Sequence, residues 1–152
     1  MSKKRVLFLC TGNSARSQMA EGLLRQIAGE KYDIVSAGTH PKGVHPITVE
    51  VMKEVGIDIA GHSSKDVQRF LGEKFDYVIT VCDRAKRQCP VFPGAEPIHW
   101  GFDDPAETPS GGEIRTFRRV REEIMQRLRV FVLSNHDRSR IMDKVSGTIH
   151  CR

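Results

Sequence analysis

The chain has 152 residues, 39% hydrophobic and 28% charged, the size and make-up of one globular domain with a single core. No apolar run reaches the length of a membrane span, and the start MSKKRVLFLC is too short in apolar residues for a signal peptide, so the expected compartment is the cytoplasm. The net charge of +5 raises nucleic acid as a partner. The densest basic group (Arg115, Arg118, Arg119, Arg121, Arg127 and Arg129) is interleaved with Glu122 and Glu123 and reads as a solvated helix face, so neither nucleic acid nor a membrane is expected.

In chain order, RVLFLC (5–10) is a near-continuous apolar run, as in a strand covered on both faces of a parallel sheet. SARSQMAEGLLRQIAG (14–29) sets Met19, Leu23 and Ile27 on one helical stripe and stops at Gly29. YDIVSAG (32–38) is a second strand, and HPITVEVMKEVG (45–56) a helix with Pro46 in its first turn. SSKDVQRFLGE (63–73) predicts a shorter third helix with Asp66 in its first turn. FDYVITVC (75–82) and EPIHWG (96–101) complete the strands, and the residues between Cys82 and Cys89 have room for a short helix. IRTFRRVREEIMQRLRVF (114–131) spaces Phe117, Val120, Ile124, Leu128 and Phe131 by three and four, which predicts a helix packed on the sheet. The alternation predicts an α/β fold, a four-stranded parallel sheet flanked by helices, with its site at the carboxyl edge of the strands. One domain is expected over 1–133. Residues 134–152, where the periodicity fades, read as a loosely ordered C-terminal extension.

In a reducing compartment the four cysteines (Cys10, Cys82, Cys89, Cys151) read as reactive or reduced rather than as a disulfide framework. Cys10 closes the first strand. The peptide N–H groups of Thr11, Gly12, Asn13, Ser14, Ala15 and Arg16 then curl around one point at a helix N-terminus, where unpaired donors and the helix dipole attract an anion. Gly12 and Asn13 tolerate left-handed backbone. Arg16 offers a planar fork to two oxygens of a tetrahedral oxyanion, and Ser17 is placed to hydrogen-bond the sulfur. These features favour a thiolate nucleophile beneath a bound anion. The plain alternative, a buried cysteine followed by a polar turn, is the commoner reading of a lone strand-end cysteine, and Cys-x5-Arg-Ser between a strand and a helix weighs against it. Neither G-x-G-x-x-G nor G-x-x-x-x-G-K-[ST] follows the strand, so this is not a nucleotide loop of those kinds.

With these residues in place, CTGNSARSQMAEG resembles the active-site loop of the low-molecular-weight protein tyrosine phosphatase superfamily, and SQMAEG is typical of its arsenate reductase branch. The resemblance runs from about residue 4 to residue 131 and implies that superfamily's fold, with flavodoxin-like strand order. The family's Asp-Pro loop maps onto HWGFDDPAETPSGG (99–112) and implies Asp104 as the proton donor, with Asp103 as the competing carboxylate. Phosphatases of the superfamily commonly carry an aromatic residue after this proline to hold an aryl substrate. Here Ala106 stands there.

Cys82 ends a strand, as Cys10 does, so parallel neighbours would bring both to one edge. The C-x6-C spacing is poor for a zinc knuckle and the histidines are scattered, so no metal is expected. Thioredoxin-coupled arsenate reductases have a cysteine pair at this place, matched by Cys82 and Cys89. The resemblance therefore implies a three-thiol relay: Cys10 attacks arsenate with help from Asp104, Cys82 attacks the Cys10 adduct as arsenite leaves, and Cys89 attacks Cys82 to form the disulfide that thioredoxin reduces. It implies no bound cofactor, phosphate or sulfate as mimics of arsenate, and a monomer. Two other readings remain open: a phosphomonoester hydrolase of the low-molecular-weight phosphatase type, and a non-catalytic anion-binding module whose thiols sense oxidation.

Three positions depart from the family pattern. Ala15 stands where many reductases of the branch have a further cysteine. Asn13, Glu21 and Ser36 match three potassium ligands of some relatives, but the fourth position is Lys65, whose ammonium would take the cation's place. Cys151 matches nothing in the pattern and reads as an exposed, incidental thiol.

Overall fold

A computed structural model describes residues 3–107 and 113–145. Its elements are β1 (Lys4–Cys10), α1 (Arg16–Ala28), β2 (Tyr32–Gly38), α2 (Pro46–Glu54), β3 (Tyr77–Thr80), α3 (Asp83–Gln88), β4 (Glu96–His99) and α4 (Ile114–Val145). The four strands form one parallel sheet in the order β2-β1-β3-β4. Val6 to Cys10 are all buried, because β1 lies in the middle of the sheet with both faces covered. α1 packs on β1 and β2 and against α4, and α2 packs against both helices. Phe117, Val120, Ile124 and Leu128 of α4 are fully buried, each such side chain contributing about 1.5–3 kcal/mol of burial free energy.

Two local expectations are corrected. The segment 63–73 holds only a 3-10 turn, Val67–Phe70. Its start is recruited elsewhere: the Gly38 N–H donates to Lys65 O, and the Lys65 N–H to the Asn13 side chain, so these groups cannot begin a helix. On α1 the buried stripe is Met19, Ala20, Leu23 and Leu24, while Ile27 is 37% exposed in the last turn. The expected domain boundary at 133/134 falls inside α4, which continues to Val145; Cys151 lies outside the described residues.

The basic face of α4 is an ion-pair seam as well as a solvated surface. Arg118 and Arg121 both bind Glu54 at the end of α2, at 2.6 and 2.8 Å, and Arg119 reaches Glu123 and Asp103. Hydrogen bonds from Arg118 and Arg121 hold the Glu54 pKa down at about 2, below its ordinary 4.5. A carboxylate depressed in the fold stabilises it above the unfolded pKa and loses that contribution as pH falls through the folded one. Glu54→Gln should therefore flatten the loss of stability between pH 4.5 and about 2, as read from urea midpoints across that range. An acid limb as steep as that of the unsubstituted protein contradicts the assignment.

Candidate active site

β1 and β3 are neighbours with Leu9 opposite Thr80, so Cys10, closing β1, and Cys82, just past β3, reach the same carboxyl edge. Both line one cavity of about 540 Å³, together with Thr11, Gly12, Ser14, Ala15, Arg16 and Asp104. The loop between β1 and α1 is held from the side by the chain leaving β2, whose Thr39, His40 and Lys42 N–H groups donate to the carbonyls of Cys10, Thr11 and Gly12. The approach is so close that a Cβ on Gly38 would stand 2.5 Å from Thr11 O and 2.9 Å from Asn13 N, which is why β2 ends in glycine. No side chain caps α1, whose first residue is Arg16, so its first-turn donors are left for another partner.

Asn13 is buried, with a left-handed φ of 47°. It does not line the cavity; its N–H donates to Cys10 Sγ at 3.2 Å. Its side-chain oxygen accepts from the Lys65 N–H at 2.9 Å and from Gln18 Nε2 at 3.0 Å. A peptide N–H is a donor only, so Lys65 fixes which way round the amide lies. Nδ2 then donates to Ser17 Oγ at 2.8 Å and Ser36 Oγ at 2.9 Å. Ser17 Oγ, which accepts from Asn13, lies 2.8 Å from Cys10 Sγ with its proton free to turn to the sulfur. The Asn13 N–H and the Ser17 hydroxyl thus both face the one buried sulfur.

Ser36 passes its own proton to Glu21 Oε1 at 2.5 Å. Buried Glu21 also meets Arg25 at 2.9 Å, with His62 and Lys65 each at 3.8 Å. Burial pushes the Lys65 pKa down, opposed by the Glu21 charge. Asn13, Glu21 and Ser36 thus converge, but they do not fit a potassium ion. The Asn13 oxygen already accepts two bonds, the Ser36 hydroxyl is engaged on both sides, and an ammonium faces the carboxylate.

Across the cavity, Arg16 donates to Phe102 O at 3.0 Å and stands 3.6 Å from Asp104. Asp104 accepts from the Ala106 N–H at 3.0 Å. Its neighbour Asp103 is turned outward to Arg119 at 3.2 Å, with a side chain 75% exposed against 21% for Asp104. The chain thus separates two adjacent carboxylates that sequence alone left competing.

Cys82 caps α3: its sulfur accepts from the Ala85 N–H at 3.4 Å and lies 3.3 Å from Thr11 Oγ1. Cys89 follows α3, half-buried in a second hollow among Val78, Phe92, Pro97 and Ile98, its thiol donating to Pro90 O at 3.3 Å. Burial pushes its pKa up. Cys10, Cys82 and Cys89 are all free thiols. The structure thus brings Cys10, Arg16, Ser17, Asp104 and Cys82 together and sets Cys89 apart. Lys42, whose side chain lies over Gly12, and Arg84 also line the cavity, and no motif marked them. Gln18 and Ser64, which brace Asn13, were equally silent, although Gln18 belongs to SQMAEG. Among the described residues no cluster of His, Cys, Asp and Glu is arranged to hold a metal, and no helix is long and apolar enough to cross a membrane.

A family model for low molecular weight phosphotyrosine protein phosphatase matches residues 5–143. An arsenate reductase of Halalkalibacterium halodurans is 47% identical over 134 residues, covering 86% of this chain and 96% of the relative. A solved arsenate reductase in the phosphate binding state superposes with a TM-score of 0.71 at 33% identity, covering 86% of this chain and 98% of the other. A thioredoxin-dependent arsenate reductase of Corynebacterium glutamicum gives 0.67 at 33% identity, covering 87% of this chain and 61% of the other.

Ser17→Ala removes a donor from the Cys10 sulfur, and alkylation of Cys10 by iodoacetamide at pH 7 should slow by about three- to tenfold. An unchanged rate contradicts the network. Replacing potassium by sodium at constant ionic strength should leave the melting temperature where it was, and a potassium-specific rise would show a cation site that Lys65 does not fill.

Proposed function

The chain belongs to the low molecular weight phosphotyrosine protein phosphatase family, and on that premise we propose that it reduces arsenate to arsenite with thiol electrons returned by thioredoxin. The observation that carries this reading is the presence of two free thiols, Cys10 and Cys82, on the wall of one cavity that also holds Arg16. Hydrolysis of an ester needs one nucleophile. Reduction of As(V) to As(III) needs two electrons, which two thiols supply by becoming a disulfide. The relatives named arsenate reductase, one of them thioredoxin-dependent, support the same choice.

Arsenate, tetrahedral like phosphate, sits on the loop 11–16 with two oxygens on Arg16. The Cys10 thiolate forms an S–As bond, and one oxygen leaves as water with the proton of Asp104. Asp104 already lies against Arg16, so the donor and the anion's clamp arrive together. The Cys82 thiolate, supported by the Ala85 N–H and beside Thr11, attacks Cys10 Sγ. The S–As bond breaks toward arsenic, arsenite departs, and Cys10–Cys82 is a disulfide. Cys89 then attacks Cys82, Cys10 leaves as a thiolate, and thioredoxin reduces Cys82–Cys89. Thiols that return to the reduced state each cycle suit the cytoplasm.

The last intramolecular step requires motion. Cys82 and Cys89 flank a helix, and seven residues at about 1.5 Å rise set their α-carbons about 10 Å apart along its axis, whereas a disulfide tolerates about 7 Å. α3 therefore unwinds. Unwinding also frees Cys89 from the hollow that raises its pKa, so the resolving thiol becomes reactive only when the helix opens.

A thioredoxin-coupled assay with arsenate tests the reading. Cys82→Ser should abolish turnover, and Cys89→Ser should stop after one cycle with Cys10 held in a disulfide to Cys82. Full turnover in both variants refutes the relay, and hydrolysis of a phosphomonoester without arsenate reduction refutes the activity.

A further inference from the structure

Asp83, the first residue of α3, accepts a hydrogen bond from His99 Nε2 at 2.9 Å, and the other ring nitrogen of His99 meets Thr80 Oγ1 at 2.8 Å. Thr80 and His99 face each other in the register of β3 and β4, so the imidazole is anchored to the sheet at one nitrogen and holds the helix with the other. The rest of α3 is weakly attached. Only Ala85 is buried, the remaining side chains are exposed, and four of the six residues are charged. So short a helix does not stand alone in water. Asp83 supplies a polar side-chain tie from α3 to the sheet. The other fixed point is the cap from the Cys82 sulfur to the Ala85 N–H, and that sulfur is consumed whenever it enters a disulfide.

We propose that His99 and Asp83 are positioning residues that latch α3 to β4, and that this latch sets how readily Cys82 and Cys89 join. The inference rests on the relay proposed above. Once the Cys82 cap is spent, the latch is a side-chain restraint that still backs the helix's own backbone bonds, such as Lys86 N–H to Cys82 O, against unwinding. In the resting protein it keeps Cys89 in its hollow and away from Cys82, guarding the dithiol against oxidation before arsenate arrives. Asp83 also lines the rim of the cavity, but its latching role is exerted through the helix.

The test uses the full chain with Cys10→Ser and Cys151→Ser, so that Cys82 and Cys89 are the remaining thiols. In glutathione redox buffers the two thiols give up two electrons and two protons and form an S–S bond, while glutathione disulfide takes up both and becomes two glutathione thiols. Asp83 is 79% exposed, so Asp83→Ala leaves the fold in place. Asp83→Ala and His99→Phe should each move the equilibrium toward the disulfide by about three- to fivefold, the scale of a partly exposed ion pair. The double variant should move it no further, and amide exchange over 83–88 should quicken in all three. A shift with Asp83→Ala but none with His99→Phe would assign the effect to the helix terminus and overturn the latch, as would full additivity in the double variant. If the parent protein forms no Cys82–Cys89 disulfide in the oxidising buffers, the relay itself fails.

Discussion

The peptide N–H of Lys65 decides which way round the Asn13 amide sits, and the hydrogen-bond partners around the Cys10 sulfur follow from that one bond. With its oxygen committed to Lys65 and Gln18, the amide must present its two N–H groups to Ser17 and Ser36. Ser17 then has its proton free to turn to the sulfur, and Ser36 donates its own to Glu21. A buried amide with both donors and both acceptor positions occupied has one orientation, because any flip would strand several polar groups away from water. The left-handed φ of Asn13 is stabilised by the same bonds.

The sheet supplies the second constraint. Parallel strands end at a common edge, and β1 and β3 are adjacent, so a cysteine after each is delivered to one cavity without any special contact. What distinguishes the two sulfurs is their surroundings. Cys10 lies in a rigid loop braced from β2 and from the 63–65 segment, while Cys82 caps a short, charged, mostly exposed helix. The proposed relay asks for rigidity under the oxyanion and marginal stability where the disulfide would travel, and the braced loop and the thinly held helix on either side of one cavity suit those opposite requirements.

Much of this was legible in the sequence, since apolar runs and three-four spacing report burial directly. β1, the core stripe of α4 and the strand-loop-helix setting of Cys10 follow from pattern alone. The 63–73 segment did not, because its helical pattern is local whereas the bonds that straighten it come from Gly38 and Asn13, far away in the chain. Residue pattern alone did not separate Asp103 from Asp104, and only the resemblance pointed to Asp104, because the arginines that divide them, Arg16 and Arg119, lie in other elements. The His99–Asp83 tie joins residues from two elements with no shared motif. Lys65 is the converse case, a single side chain that departs from a family pattern and whose placement beside Glu21 is coherent in three dimensions.

In the proposed relay two electrons pass from the thiols to arsenic and leave behind one sulfur–sulfur bond, which migrates outward. Mass-spectrometric mapping of the disulfides after the reduced protein meets one equivalent of arsenate, with no thioredoxin present, tests it most directly. One arsenite released per chain is expected, with a single disulfide joining Cys82 to Cys89 and Cys10 again a free thiol. Arsenite released while Cys82 and Cys89 both remain reduced would contradict it.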